Sequence, residues 1–319
     1  MPMKAHGKTG LRAALLGSAL LLAAACAGGR TRREIAAEYF NLGNAFFELR
    51  KFDRALDFYE RALAYSSSFP EGGYNLARVY ILQDRFGDAV EILKGLLDRD
   101  RDNLVVFQTL AYALGKAGRV EEAVDAYGEV LARSEGNIAA LYNLSLLLEF
   151  QGRSREAYEL LSRAVRLSPE DPDLLRRMGR LEARHGSRRA AIEYLKAYRE
   201  KGGADGETDL FLVRLLEEEG LYSDALQVAE SLAQTRKDDP EALFERAYLL
   251  LAKAEEKAPG LEALARAAEK GYADKKRVSA LLLEVPEAFL QDVRAAVIEK
   301  GLLSPEEAEE VLAAPFGDP

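Results

Sequence analysis

The residue types that carry out chemistry in proteins are scarce in this chain. Its 319 residues include a single cysteine, Cys26, two histidines and no tryptophan. One cysteine cannot form an internal disulfide, and His185 has no second histidine or thiol near it with which to bind a metal. Glycine-rich phosphate loops and the G-x-S-x-G turn of hydrolases are also missing. We therefore predict that the chain is not an enzyme and holds no metal or cofactor.

The neighbours of Cys26 indicate a different use for its thiol. Three basic residues, Lys4, Lys8 and Arg12, precede an apolar run that ends at Ala25 and is too short to span a bilayer. The segment resembles a bacterial lipoprotein signal, in which the cysteine becomes the acylated first residue. This resemblance implies lipidation of Cys26, for example with palmitate, and a place in the cell envelope, with the periplasmic face of the outer membrane favoured. Plain secretion and a retained anchor are the alternatives.

A repeat of 34 residues marks the elements that would follow this tether. Alanine recurs at that spacing, and a leucine or methionine series keeps step with it. Glycine joins at a turn position, where it allows a positive φ as the chain reverses. The three series are Ala55, Ala89, Ala123, Ala157, Ala191 and Ala225; Leu42, Leu76, Leu110, Leu144, Met178 and Leu212; and Gly118, Gly152, Gly186 and Gly220. A period of this length is typical of stacked helical hairpins, in which a small residue lets the two helices approach closely.

The first unit resembles the tetratricopeptide repeat (TPR) in Tyr39, Leu42-Gly43, Phe46, Ala55, Tyr59 and Ala62. The resemblance implies an all-α fold, a right-handed superhelical solenoid of about six to seven TPR helical hairpins with a C-terminal helical cap. The family's tryptophan is absent from every unit. Gly73 and Asp209 stand in its place in the second and sixth units, and glycine disfavours a helix there.

The resulting domain organisation has five segments. They are a signal peptide over 1–25, a membrane-tether linker over 26–35, six TPR units over 36–239, a degenerate TPR and helical cap over 240–314, and a tail over 315–319. In the cap we expect a first helix over 240–256, a turn at Pro259-Gly260, and a last helix capped by Ser304 and Glu307.

In TPR proteins the first helix of each hairpin lines a concave surface, which implies a set of peptide-contacting residues. An aromatic residue followed by asparagine recurs at this register in three of the first four units. The asparagine amide can donate hydrogen bonds to an extended peptide backbone and accept them from it, and the aromatic rings offer apolar contact area. The predicted peptide groove is Phe40, Asn41, Asn44, Phe47, Tyr74, Asn75, Arg78, Tyr112, Lys116, Tyr142 and Asn143. The alternative is that asparagine is merely tolerated and the rings pack between repeats.

One known use of such a groove can be tested on the sequence. TPR domains that clamp a C-terminal carboxylate use Lys, Asn, Asn, Lys and Arg across three repeats. Here those positions hold Phe40, Asn44, Asn75, Val105 and Thr109. Because all three cations are missing, we do not expect a carboxylate clamp.

The first helix of the fifth unit carries a basic stripe, consisting of Arg176, Arg177, Arg180 and Arg184. The chain as a whole has a formal net charge of −9, which argues against nucleic-acid binding. Guanidinium groups suit carboxylates, so the stripe predicts an anchoring site for an acidic partner segment. The alternative is a solvated face paired with Asp173, Glu182 and acids of the next repeat, such as Glu217 and Glu218.

Together these features predict an envelope-anchored adaptor or scaffold that binds partner proteins or extended peptides through its groove. Two alternatives remain open. One is an accessory component of a solute transporter that docks a substrate-binding protein, and the other is a regulator of peptidoglycan enzymes.

Overall fold

The computed structural model describes residues 31–67, 70–203 and 205–313, and every regular element in these ranges is a helix. Cys26 and the predicted signal peptide lie outside the described residues. The chain divides into two compact units, with the boundary between Leu167 and Ser168. The segment predicted as six consecutive repeats over 36–239 is thus shared between unit 1 and unit 2.

Unit 1 contains eight described helices that pair as four hairpins. They are α1 (Arg32–Glu48), α2 (Phe52–Tyr65), α3 (Pro70–Leu82), α4 (Phe86–Leu97), α5 (Leu104–Lys116), α6 (Val120–Arg133), α7 (Ile138–Phe150) and α8 (Ser154–Leu167). α1 begins inside the linker predicted over 26–35, because Thr31 and Glu34 form a capping box at its start.

The core of unit 1 follows the alanine series. Ala55, Ala89, Ala123 and Ala157 are all fully buried. At Gly43 an added Cβ atom would lie 2.5 Å from the ring of Tyr59, so only glycine lets α2 approach α1 at that level. The small residues of the repeat therefore act as predicted, by permitting close packing of the two helices of a hairpin.

Each hairpin of unit 1 reverses through a residue in the left-handed region. Gly118 and Gly152 adopt φ values of 76° and 77°, as their glycine identity predicts. Arg50 and Asp84 occupy the same position in the first two hairpins, both with φ of 56°. A residue with a side chain is strained there by about 1–2 kcal/mol, so these two turns are less favourable than the later ones.

Unit 2 contains nine described α-helices and one π-helical turn. They are α9 (Pro172–His185), α10 (Arg188–Glu200), α11 (Gly206–Glu218), α12 (Tyr222–Thr235), α13 (Pro240–Tyr248), the π-helix Leu249–Lys253, α14 (Lys257–Glu269), α15 (Lys275–Glu284), α16 (Glu287–Glu299) and α17 (Pro305–Ala313). One hydrophobic cluster extends from Ala191 in α10 to Ala308 in α17, so the C-terminal helices cover the apolar side of the last hairpins.

Two turns of unit 2 differ from their predictions. Gly186 has φ of −127° and does not adopt the left-handed conformation of the other turn glycines. The reason is local: the buried carboxylate of Glu182 accepts a hydrogen bond from the Ser187 backbone N–H at 3.0 Å and occupies the space where a Cβ of residue 186 would lie. Glu182 therefore caps this turn with its carboxylate.

The seventh hairpin also departs from expectation. Pro259 and Gly260 lie in the first turn of α14, and the reversal occurs earlier, around Glu255 with φ of 57°. Proline fits a first helical turn because its missing N–H is not needed there, and an added Cβ at Gly260 would lie 2.5 Å from Leu251. The capping box predicted at Ser304 and Glu307 is confirmed by both reciprocal hydrogen bonds.

Candidate binding surfaces

The predicted peptide groove of unit 1 begins with linked amides on α1 and α3. Asn75 Nδ2 donates to Asn44 Oδ1 at 2.9 Å, and Tyr59 Oη donates to the same oxygen at 2.7 Å. Arg78 in turn donates to Asn75 Oδ1 at 3.3 Å. Burial raises the pKa of Tyr59 to about 12, which keeps its hydroxyl a neutral donor. These two asparagines therefore join the first two hairpins.

Two of the predicted groove rings pack between helices. Phe40 is half-buried, with its ring centroid 5.8 Å from that of Tyr59. Tyr74 Oη lies 3.2 Å from Thr109 Oγ1, and Thr109 itself donates to the Val105 carbonyl, so Tyr74 is the donor of this bond. At these two positions the rings contact neighbouring helices, which favours the packing alternative over an open peptide-binding face.

Further along, the groove opens into a cavity of about 340 Å³, which we call the unit 1 pocket. It lies on α3, α5 and α7, and its lining includes Tyr74, Arg78, Leu82, Tyr112 and Asn143. The side chains of Leu82 and Tyr112 are 51% and 38% exposed. Among the described residues, no side-chain hydrogen bond holds Asn143. The pocket thus offers rings, an aliphatic edge and an available amide.

The lining of this pocket does not include the remaining predicted groove residues, which are Asn41, Phe47, Lys116 and Tyr142. The Lys116 ammonium lies 5.7 Å from the Tyr112 ring centroid, and the Arg78 guanidinium lies 4.9 Å from that of Phe47. Both cations therefore lie over aromatic rings on the groove surface. Asn41 is exposed, and Tyr142 is half-buried beside Asn143 in α7.

A cavity of about 470 Å³, the unit 2 pocket, occupies the corresponding place on α9 and α11. Three repeats separate the two, so that Arg180 corresponds to Arg78, Phe211 to Thr109 and Arg214 to Tyr112. The lining includes Arg180, Arg184, Arg188, Phe211, Arg214 and Glu218. Sequence reasoning found the stripe but missed Phe211 and Arg214, although the same repeat register identifies both as groove positions.

Acidic residues neutralise part of the basic stripe. Arg176 contacts Asp173 at 3.1 Å and Asp205 at 3.9 Å. Arg180 contacts Glu207 at 2.9 Å and also donates to Thr208 at 3.3 Å. Asp173 lies at the start of α9, Asp205 just before α11 and Glu207 within α11. The stripe therefore connects two consecutive hairpins as well as lining the groove.

Arg277 of α15 forms ion pairs with two acidic residues next to Arg214 of the unit 2 pocket. It donates to Glu217 at 3.0 Å and to Glu245 at 2.8 Å, and its guanidinium lies 3.8 Å from the ring centroid of Tyr248. Burial alone would lower the pKa of Arg277, but the hydrogen bonds to both carboxylates outweigh it and raise that pKa. Arg214 is left with a 3.5 Å contact to Glu245, and its side chain is 52% exposed.

The described ranges contain neither a metal-binding cluster nor a membrane-spanning helix. No group of histidine, cysteine, aspartate and glutamate side chains there is arranged to hold a metal ion. Within those same residues, no helix combines the length and hydropathy needed to cross a membrane.

Helix pairs that recur every 34 residues define a helical-repeat protein. Family models described as tetratricopeptide repeat match residues 46–111, 116–181 and 176–240, which together cover more than half of the chain. The chain belongs to the tetratricopeptide repeat family. Proteins of this family are generally non-enzymatic, and the fold suggests a scaffold for protein–protein interaction.

Similar proteins agree with this fold. The chain is 34% identical over 102 residues to an uncharacterized lipoprotein of Treponema pallidum, a match that covers 32% of this chain and about half, 52%, of the relative. A structure of PilF from Pseudomonas aeruginosa matches with a TM-score of 0.56 and 21% identity over 66% of this chain and 96% of that one. A tetratricopeptide repeat protein from Parabacteroides merdae matches with a TM-score of 0.54 and 16% identity over 78% and 98% of the two chains.

Proposed function

We propose that the protein is an envelope-anchored adaptor that binds an extended segment of a partner protein in the groove of unit 1. The observation that carries this proposal is the unit 1 pocket, where exposed Tyr112 and Leu82 surround the available amide of Asn143. An asparagine can donate to and accept from one peptide unit, and the neighbouring apolar surface can bury a side chain of the same segment.

The partner segment for this pocket is uncharged. Arg78 in its lining and Lys116, one turn after Tyr112 on α5, both lie over aromatic rings, and Arg78 also donates to Asn75. A ligand carboxylate would have to compete with those contacts, whereas a backbone amide and an aliphatic side chain would not. A segment that offers its backbone amides and an apolar side chain therefore fits this pocket best.

The second part of the proposal concerns the unit 2 pocket, which suits an acidic segment of a partner. Because Arg277 holds both Glu217 and Glu245, Arg214 faces the pocket with one long ion-pair contact beside the apolar ring of Phe211. We assign to this pocket an acidic partner segment with a neighbouring apolar side chain. Arg214→Glu should reduce capture of that segment without loss of helicity, whereas Arg155→Glu on α8, where the arginine is 93% exposed, should not.

Anchoring through Cys26 is the third part of the proposal. It is supported by the resemblance of the first 25 residues to a lipoprotein signal and by the name of the Treponema relative. The mass of the envelope-bound protein should include a lipid on its N-terminal cysteine, and Cys26→Ser should release the protein from membranes. A membrane-bound Cys26→Ser variant would contradict the anchor.

Photo-crosslinking in intact cells tests the groove directly. A photoreactive phenylalanine replaces Tyr112 in one variant and Tyr158 of α8 in the matched control, since these tyrosines are 38% and 40% exposed. We expect a discrete crosslinked partner at residue 112 that disappears when Asn143→Ala is added. Equal crosslinking at both positions would contradict the groove. Recovery of a substrate-binding protein or of a peptidoglycan hydrolase would identify which class of adaptor this is.

A further inference from the structure

Four aromatic side chains form a continuous face on the first hairpin, which we call the aromatic face. It consists of Tyr39 and Phe46 on α1 and Phe58 and Tyr65 on α2. Tyr39 lies between Tyr65 and Phe58, with ring centroids 5.4 Å and 6.2 Å away, and Phe46 stacks on Phe58 at 5.2 Å. Tyr65 is 41% exposed, and the other three rings are half-buried.

The same four register positions are filled differently in the hairpins that follow. They hold Gly73, Tyr80, Ile92 and Arg99 in the second hairpin, and Phe107, Leu114, Ala126 and Arg133 in the third. Gly73, which takes the place of Tyr39 in the second hairpin, is buried. Leu114, which takes the place of Phe46 in the third hairpin, is buried as well. Only the first hairpin of unit 1 combines four aromatic residues there, and none of the described helices precedes it to cover them.

We infer that the aromatic face rests on the lipid–water interface of the membrane that holds Cys26. This inference rests on the anchor in the proposed function. Five residue steps separate Cys26 from Thr31, so the start of α1 lies within about 18 Å of the lipid attachment. Tyr65, at the end of α2, packs against Tyr39 two turns into α1, which brings this end of the face toward the tether.

The chemistry of the face and of the tether favours lipid over other occupants. Residues 27–30 are Ala-Gly-Gly-Arg and carry no large apolar side chain that could cover four rings. Tyrosine and phenylalanine rings suit the boundary between head groups and acyl chains. Arg32 and Arg33 are exposed at the start of α1, so cations for anionic head groups lie near the rings. Arg61, whose guanidinium lies 5.7 Å from the Phe58 ring centroid, is already paired with Asp57 at 3.1 Å.

A single-tryptophan experiment tests this orientation, because the chain contains no tryptophan. The chain from Cys26 onward is prepared as Tyr65→Trp and, as the matched control, as Phe150→Trp on α7, where the native ring is 81% exposed. Its only thiol adds across the double bond of a maleimide lipid, and the thiol proton passes to the adjacent carbon. The vesicles contain phosphatidylcholine and phosphatidylglycerol with brominated acyl chains, which quench tryptophan at short range.

We expect emission from Tyr65→Trp to shift to the blue and to be quenched several-fold more than emission from Phe150→Trp. A second variant, Phe58→Trp, should behave like Tyr65→Trp, and helicity should stay unchanged in all three. Equal quenching at residues 65 and 150 would overturn the inference. So would a Tyr65→Trp signal protected from both brominated lipid and aqueous acrylamide, since a second protein copy would then cover the face. Because the tether is made chemically, neither result bears on natural lipidation of Cys26.

Discussion

The unit 1 pocket and the unit 2 pocket occupy the same place in their repeats but offer different chemistry. Thr109 and Tyr112 in unit 1 correspond to Phe211 and Arg214 three repeats later, and Leu82 corresponds to Arg184. The alanine series is fully buried in both units. The buried register therefore holds the hairpins in place and leaves the groove side chains free to differ.

The two pockets are also held in different ways. Neutral amides and hydroxyls connect α1 to α3 and α3 to α5 in unit 1, as in the bond from Asn75 to Asn44. Charged groups do this work in unit 2, where Arg277 binds Glu217 and the buried Glu245. Loss of a charged partner from a buried site is costlier than loss of a neutral one, so the two units should respond differently to similar substitutions.

Arg277→Ala should give the largest effect, because it leaves the carboxylate of Glu245 buried without its main cation. We expect the free energy of unfolding of unit 2 to fall by about 3 to 5 kcal/mol. Denaturant unfolding followed by circular dichroism measures this. Arg188→Ala is the control, since its pairs with Glu218 and Glu219 are on the surface and are worth less than about 1 kcal/mol. Similar losses from both substitutions would contradict the special cost assigned to the buried ion pair of unit 2.

Asn143→Ala should weaken binding of the crosslinked partner segment by roughly tenfold, the equivalent of about 1.4 kcal/mol, because one peptide unit loses its hydrogen bonds. Stability should not change, since no side-chain bond of this amide is present among the described residues. Asn75→Ala, by contrast, should lower stability as well, because it removes the bond to Asn44. Titration of a labelled partner peptide measures the affinity. An unchanged affinity for Asn143→Ala would exclude the unit 1 pocket as the peptide site.

Asp209 of unit 2 and Glu122 of unit 1 should give opposite pH dependences. Burial raises the pKa of Asp209 above its ordinary value of 3.8, and the nearby Arg199 only partly offsets this. The folded state therefore binds this proton more tightly than the unfolded chain, and stability falls as the pH rises through 3.8 and the folded pKa. Asp209→Asn should thus raise stability at neutral pH.

Hydrogen bonds from Arg119 and then Lys94 lower the pKa of Glu122 from 4.5 to about 2. Its contribution is present above pH 4.5 and is lost as the pH falls toward about 2. Glu122→Gln should therefore lower stability slightly at neutral pH and flatten the acid side of the profile. Thermal unfolding across acid and neutral pH measures both variants, and slopes of the same sign would contradict the assignment.

The smallest effect is expected at the hairpin turns. Arg50→Gly in unit 1 should raise stability by less than about 1 kcal/mol, because relief of left-handed strain exceeds the entropy cost of glycine. Gly118→Ala is the reciprocal control and should lower stability, since nothing lies within 4 Å of the added Cβ and only backbone strain acts. Gly186→Ala in unit 2 should also destabilise, but by collision with Glu182. Thermal unfolding ranks the three, and a gain from Gly118→Ala would refute the strain argument.

Sequence reasoning reached the fold because a small residue at a fixed spacing has one physical use in stacked hairpins. The helical hairpins and the capping box at Ser304 followed from local patterns, whereas the peptide groove stays a prediction. The prediction of a chain reversal at Pro259-Gly260 was wrong because the same dipeptide also suits the first turn of a helix that packs closely on Leu251. Arg277 was missed because its partners lie 32 and 60 residues away, outside the 34-residue register.

The guanidinium of Arg277 joins helices that are not adjacent in the stack, since α15 reaches past α13 to Glu217 on α11. The energy of a repeat protein is usually close to a sum over single hairpins and adjacent pairs, so hairpins can open one by one from an end. A bond that skips a hairpin breaks this additivity. Unit 2 should therefore unfold in one sharp cooperative transition, whereas unit 1, joined by hydrogen bonds between adjacent first helices, can open hairpin by hairpin.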